Sequence, residues 1–202
     1  MSGLPILVEA TGLHVLVVGG GAVAARKVNA LLLGDARIRI VSPTAVGALR
    51  ALADSARLEW IERRYEAADI GDAQLVIAAT DERTVNAAVA ADARRAHRLV
   101  NVADAPDEGS FATMAIHRSG GIVVGVSAAG VPGAAARIRD AIARRFDSRY
   151  ARAVGGLAKV RRTLVDRGER DAWRTLAGNV IDHDFCKSVE QGTLDERIAS
   201  WR

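Results

Sequence analysis

Residues 13–24 read Leu-His-Val-Leu-Val-Val-Gly-Gly-Gly-Ala-Val-Ala, an apolar run that ends in Gly19, Gly20 and Gly21 and leads into Arg26-Lys27-Val28. No other stretch constrains the fold as strongly, because a strand, a glycine turn and a helix start in that order form the opening of a β-α-β unit. The first glycine allows a tight turn, the second lets backbone N–H groups approach a phosphate, and a small third residue lets helix and strand touch. Those positions are Gly19, Gly21 and Ala24. An anion would sit at the helix N-terminus, where unpaired N–H groups and aligned peptide dipoles favour negative charge. The placement after a strand and before a helix points to a dinucleotide.

From Leu13 to Asp104 short apolar runs alternate with longer helical ones, the signature of a parallel sheet in an α/β, Rossmann-like fold. The predicted strands are 14–18, 37–41, 58–62, 75–79 and 99–102. A helix is expected from Ala22 to Leu33, closed by Gly34. Another is expected from Asp81 to Arg95, with Val85, Ala88, Val89 and Ala93 on one face and Asp81 or Thr84 as its cap. Beyond Asp104 the character changes. Residues 110–114 and 121–127 read as strands and 132–146 as an arginine-bearing helix. Two amphipathic helices follow, carrying Tyr150, Val154, Leu157, Val160 and Leu164 and then Trp173, Leu176 and Val180. The chain thus divides into a Rossmann domain (1–106), a small α+β segment (107–147) and a helical C-terminal domain (148–202).

Composition narrows the function. At 202 residues, half of them hydrophobic, the chain can bury a core. Its apolar runs stop far short of the roughly 20 residues a membrane span needs, and its start lacks a signal-peptide pattern. A single cysteine, Cys186, excludes an intrachain disulfide or a thiolate zinc cluster. The expectation is a cytoplasmic protein without a membrane partner. The net charge of +4 fits nucleic acid, an anionic ligand or an arginine-rich composition, but aromatics at 4% do not interleave with basic stretches. No nucleic-acid partner is expected.

In an open parallel sheet, ligands bind outside the carboxyl ends of the strands. The polar residues there are Gly19 to Gly21, Ser42-Pro43-Thr44, Thr80-Asp81 and Asn101 to Asp104. The second strand ends in Ser42-Pro43-Thr44 where an acid would bind the ribose hydroxyls, and no arginine follows immediately, which favours NAD over NADP. Asp104 precedes Ala105-Pro106, a turn that would hold a carboxylate at the active edge. It reads either as a proton acceptor beside a nicotinamide or as a turn-forming Asx residue. His14 reads as structural, His97 ends a helix and His183 lies in the tail. His117 and Arg118 could meet anionic groups or form a solvated hairpin, and Cys186 reads as packing. No catalytic triad and no metal-ligand cluster is visible.

Several ordered segments resemble the siroheme synthase family, and within it the precorrin-2 dehydrogenase module. They are Leu4-Pro5-Ile6, Val15 to Ala24 with Arg26-Lys27, Ala78-Ala79-Thr80-Asp81 with Val85-Asn86, and Val100 to Asp104 with Ser110-Phe111. The resemblance implies a homodimeric NAD-dependent dehydrogenase that converts precorrin-2 to sirohydrochlorin, and some members of the family also insert iron. It assigns the NAD contacts to Gly19, Gly21, Ala22, Val23, Ala24, Pro43 and Thr44, with Thr80 and Asp81 beside them, and catalysis to Asp104. The substrate's eight carboxylates give the arginines a purpose: Arg118, Arg137 and Arg139 are candidates for pairing with them, and Asn101, Ser110 and Ser127 are further candidates for the substrate site. The middle segment is accordingly expected to serve dimerisation and substrate binding.

This chain departs from the family pattern S-[ST]-x-G-x-[ST]-P, reading Ser127-Ala128-Ala129-Gly130-Val131-Pro132-Gly133. It also shifts the usual glycine after the first helix by one place. Without the large methyltransferase region of trifunctional relatives, it is not expected to make precorrin-2. Two alternatives stand beside this reading: a non-catalytic NAD-sensing module, and a chelatase without dehydrogenase activity.

Overall fold

The apolar run before the glycines forms β1 (His14–Val18), the middle strand of a five-stranded parallel sheet. Its other strands are β2 (Arg37–Val41), β3 (Glu59–Ile61), β4 (Leu75–Ala78) and β5 (Leu99–Val102), in the order β3-β2-β1-β4-β5. Residues 3–199 are described by the computed structural model, which divides into two compact units between Thr113 and Met114.

Alternation along β1 builds two cores in the first unit, because successive side chains point to opposite sheet faces. Val15 and Val17 face α1 (Ala22–Leu32) and α2 (Gly47–Asp54), packing with Ala24, Val28 and Leu49. Leu16 and Val18 face α3 (Arg83–Arg95), packing with Val89, Ala90 and Ala93. With both faces covered, β4 is buried along its whole length. The strand order reverses between β1 and β4, where the chain returns from β3 on the outer edge.

The predicted strands match the sheet, with β3 and β4 shorter than expected, and four local expectations change. No side chain caps α3, whose N-cap residue is Glu82 rather than Asp81 or Thr84. Its buried face is Asn86, Val89, Ala90 and Ala93, and Ala88 is exposed. Residues 110–114 join no ladder. The Ser110 hydroxyl instead accepts from the Val100 N–H at 2.8 Å, and the Ser110 N–H donates to the Val100 carbonyl at 2.7 Å, so this segment covers the free edge of β5. After α1 the left-handed residue is Asp35, at φ 58°, and not Gly34.

The second unit contains a hairpin, β6 (Ala115–Ser119) and β7 (Ile122–Val126), joined by a two-residue loop in which Gly120 has φ 57°. The helices α4 (Pro132–Arg145), α5 (Ser148–Asp166) and α6 (Arg170–Val180) lie where periodicity places them, and α7 (Phe185–Gln191) and α8 (Leu194–Ala199) follow. Asp147 caps α5 by accepting from the Arg149 N–H at 2.9 Å. Tyr150, Leu157, Leu176, Val180, Val189 and Leu194 form the core. The Tyr150 hydroxyl donates to Glu190 Oε1 at 2.8 Å, and Arg145 donates to the same oxygen. Burial and this bond push the Tyr150 hydroxyl up to about 12.

Asp69 anchors the 3-10 turn Ala67–Ile70 between β3 and β4. It accepts from Arg63 at 2.9 and 2.5 Å and from the Glu66 N–H at 2.8 Å. Burial alone would raise its pKa, but these bonds and the charges of Arg63 and Arg39 hold it below the ordinary range. The stabilisation is therefore present above the ordinary Asp pKa and lost as pH falls through the lowered value. Asp69→Asn is expected to cost about 1–3 kcal/mol at neutral pH. In urea unfolding, the gap from wild type should narrow as pH drops below about 4.

Candidate dinucleotide-binding site

Close backbone contacts assemble the carboxyl edge of the sheet. A Cβ at Gly19, whose φ is 121°, would lie 2.3 Å from the Ala79 carbonyl oxygen, and one at Gly20 would lie 1.9 Å from that of Thr44. The Val46 N–H donates to the Gly20 carbonyl at 2.9 Å, locking the turn to the start of α2. Thus Gly20 is a steric requirement, although the sequence pattern assigns roles only to Gly19 and Gly21.

Gly21 differs from both. A Cβ there would meet nothing within 4 Å, and its φ of −83° is open to any residue. It occupies the N-cap of α1, where no side chain bonds the helix end and no acidic residue sits in the first turn. The N–H groups of that turn, including those of Ala22 and Val23, lack intrahelical partners and are available to an anion. These features fit a pyrophosphate. The Ala24 side chain is wholly buried against the sheet, so it sets the helix–strand distance.

Thr80, beyond β4, is organised by Asn86. Asn86 Oδ1 accepts from the Thr80 N–H at 3.0 Å and lies 2.8 Å from its hydroxyl, while Nδ2 donates to the Thr80 carbonyl at 3.0 Å. Asn86 is fully buried in α3. A polar residue at helical spacing from Val89, Ala90 and Ala93 was the available signal for its role. Asp81, Pro43 and Thr44 are exposed, and Ser42 is buried. Arg50, which the sequence reading passed over, folds back from α2 so that its Nε donates to the Ala45 carbonyl at 2.8 Å.

At the end of β5 the Ala103 N–H donates to the Ala78 carbonyl at 2.9 Å, bringing Asp104 to the same edge. Arg83, at the start of α3, has Nε 3.9 Å from Asp104 Oδ2 and pairs through Nη2 with Glu108. The Asp104 side chain is 35% exposed. Asn101 is buried. Its Nδ2 donates to the Phe111 carbonyl at 3.0 Å, and Oδ1 has no partner. On α1, Lys27 lies 3.5 Å from the Thr113 hydroxyl, with burial and then Arg26 holding its ammonium below the usual lysine range.

The structure therefore brings Gly19 to Val23, Pro43-Thr44, Thr80-Asp81 and Asp104 to one sheet edge, and Asn101 lies within the adjoining strand. Arg118, Ser127, Arg137 and Arg139 belong to the second unit. There Arg118, Ser127 and Arg137 are exposed, and Arg139 is paired with Asp140 at 2.5 Å. The turn after β7 has Ala129 and Gly130 at φ 44° and 77°, and Pro132 occupies the first turn of α4, which no side chain caps. Among the described residues, no group of three His, Cys, Asp or Glu is placed to hold a metal ion, and no helix is long and apolar enough to cross a membrane.

Strand order, glycine turn and open helix end define a Rossmann-type nucleotide-binding domain. Residues 6–115 match the family described as putative NAD(P)-binding, and the chain belongs to that family. The resemblance to siroheme synthases also holds over most of the chain. It is 38% identical over 185 residues to the siroheme synthase of Methylococcus capsulatus, covering 88% of this chain and 39% of that protein. It is 39% identical over 199 residues to that of Pseudomonas putida (strain F1), covering 98% and 41% respectively. The chain thus spans about two fifths of the length of these relatives. The solved structure of SirC, precorrin-2 dehydrogenase, superposes with a TM-score of 0.79 over 98% of each chain at 22% identity, which shows a shared fold.

Alanine at two adjacent glycines should separate folding from ligand binding. Gly20→Ala drives a methyl into the Thr44 carbonyl and is expected to lower stability by about 1–3 kcal/mol or more. Gly21→Ala should leave the unfolding midpoint nearly unchanged but weaken NAD binding about tenfold or more, because its methyl enters the space a phosphate needs. Thermal unfolding and calorimetric NAD titration check both.

Proposed function

We propose that this chain is a cytoplasmic, homodimeric, NAD-dependent dehydrogenase that oxidises precorrin-2 to sirohydrochlorin. The observation that carries the reading is the position of Asp104. Its partly exposed carboxylate stands at the sheet edge that also holds the glycine turn, with Arg83 beside it. The siroheme synthase relatives support the substrate class.

The first-turn N–H groups of α1 and the backbone around Gly19 and Gly21 bind the pyrophosphate, and Pro43-Thr44 flank the adenosine side. Thr80-Asp81 shape the neighbouring wall, with Thr80 held by Asn86. NAD, when bound, supplies the hydride acceptor. Conversion of precorrin-2 to sirohydrochlorin releases one hydride and one proton, and Asp104 takes the proton. Asn101 Oδ1 is buried and unpartnered beside this edge, which supports a role for Asn101 in accepting from a substrate donor such as a pyrrole N–H once the site is occupied. Ser110 is a further proposed substrate contact in the first unit, and Ser127, Arg118, Arg137 and Arg139 are those proposed for the second unit. Of these arginines, Arg139 already pairs with Asp140, so Arg118 and Arg137 carry more of the unmatched charge. Among the described residues the β6–β7 sheet has no third strand, and Ile116 is exposed on it, which supports pairing between two copies.

Purified protein supplied with NAD and precorrin-2 is expected to generate NADH absorbance together with the sirohydrochlorin spectrum. Asp104→Asn should reduce turnover about 100-fold or more while changing NAD affinity little. Neither signal from the wild type with intact substrate would overturn the dehydrogenase reading. Unimpaired turnover in the variant would overturn the role of Asp104. Ferrous ion added with sirohydrochlorin tests iron insertion separately.

A further inference from the structure

The corner between α5 and α6 holds a recess that the proposed reaction does not use. Arg161 and Val165 line it from α5, four residues apart, and Arg170, Trp173 and Arg174 line it from α6 at spacings of three and four. Residues so spaced share a helix face. Gly168, at φ 79°, reverses the chain between the helices and turns these faces toward one recess. Its volume is about 270 Å³, enough for one edge of a large planar molecule rather than the whole.

The charge in this recess is unbalanced. Arg174 pairs with Asp171 at 3.0 Å, but among the described residues neither Arg161 nor Arg170 has an ion-pair partner. Asp166 ends α5 and Glu169 precedes α6, and among the described residues neither forms an ion pair with Arg161 or Arg170. Trp173 packs partly against the core of the unit and also lines the recess. Three guanidinium groups lining one recess make it locally positive, and their planar forks match carboxylates in bidentate geometry. An indole beside them offers an apolar surface to a ring.

We infer that the recess formed by Arg161, Arg170, Trp173 and Arg174 binds the edge of a planar polycarboxylate, with two of its carboxylates on the arginines and its ring against the indole. The choice of a macrocyclic polycarboxylate rests on the proposed dehydrogenase reading; a small free tricarboxylate shares the carboxylate chemistry and is the other source.

Uroporphyrin I, coproporphyrin I, citrate and inorganic phosphate serve as probes. In protein carrying Trp60→Phe and Trp201→Phe, uroporphyrin I is expected to quench Trp173 fluorescence, coproporphyrin I more weakly, and citrate only at much higher concentration. Equilibrium dialysis of uroporphyrin I against the otherwise wild-type chain gives a second measure that needs no tryptophan change. Arg161→Gln with Arg170→Gln should weaken binding at least tenfold, while Arg57→Gln, at an exposed site elsewhere, should leave it unchanged. Binding unaffected by the double variant, while circular dichroism shows it folded, would overturn the inference. Citrate or phosphate binding as tightly as uroporphyrin I would overturn the planar polycarboxylate assignment. Wild-type turnover with precorrin-2 is measured independently: arginine-dependent uroporphyrin binding without turnover removes the dehydrogenase reading alone, and turnover without such binding removes the recess alone.

Discussion

The first unit depends on two backbone approaches that no side chain could survive, Gly19 against the Ala79 carbonyl and Gly20 against the Thr44 carbonyl. They bring the exits of β1, β2 and β4 together at one edge. Without them the turn could not thread between its neighbours, and α1 could not present its uncapped end over the sheet. Hydrophobic burial holds the sheet together, with Val15 and Val17 on one face and Leu16 and Val18 on the other. Burial alone is non-directional, however, and does not specify where a phosphate could approach. Van der Waals exclusion at two positions supplies that direction.

A polar frame surrounds this steric one. Asn86 closes the Thr80 turn from within α3, and Arg83 from the same helix reaches Asp104 and Glu108 beyond β5. One helix therefore positions groups at two strand exits, and residues distant in sequence become neighbours at the edge. The exposed ion pairs are weak in water, whereas the buried amide of Asn86 is the more exacting element, since its removal would leave Thr80 backbone groups unpaired.

Much of this was legible in the sequence because period and turn chemistry agree. The strands at 14–18, 37–41 and 99–102 and the helices from Pro132, Ser148 and Arg170 lie where apolar spacing places them. Misreadings fall where side-chain identity alone is ambiguous. Ser110 to Met114 has strand composition, yet Ser110 bonds to Val100 through its hydroxyl and backbone and leads the chain across the sheet edge. Leu49 is the only buried residue of α2, too weak a stripe for a periodicity argument. Asn86 stands at helical spacing from Val89, Ala90 and Ala93, but that its partners are the backbone groups and hydroxyl of Thr80, six residues back, becomes visible only in the fold. Gly20 was overlooked because its constraint comes from Thr44, a contact that exists only after β2 has paired with β1.

The end of α1 shows how two demands commonly met by one glycine can part company. The left-handed backbone falls on Asp35, a residue whose short polar side chain tolerates it, while the missing Cβ is needed at Gly34, where it would lie 2.6 Å from the Ala10 methyl. Conformation and clearance are thus separable and can be carried by adjacent residues. Any alignment that takes the glycine as the marker of the left-handed position would set this loop out of register by one residue while the strands on either side remain correctly matched.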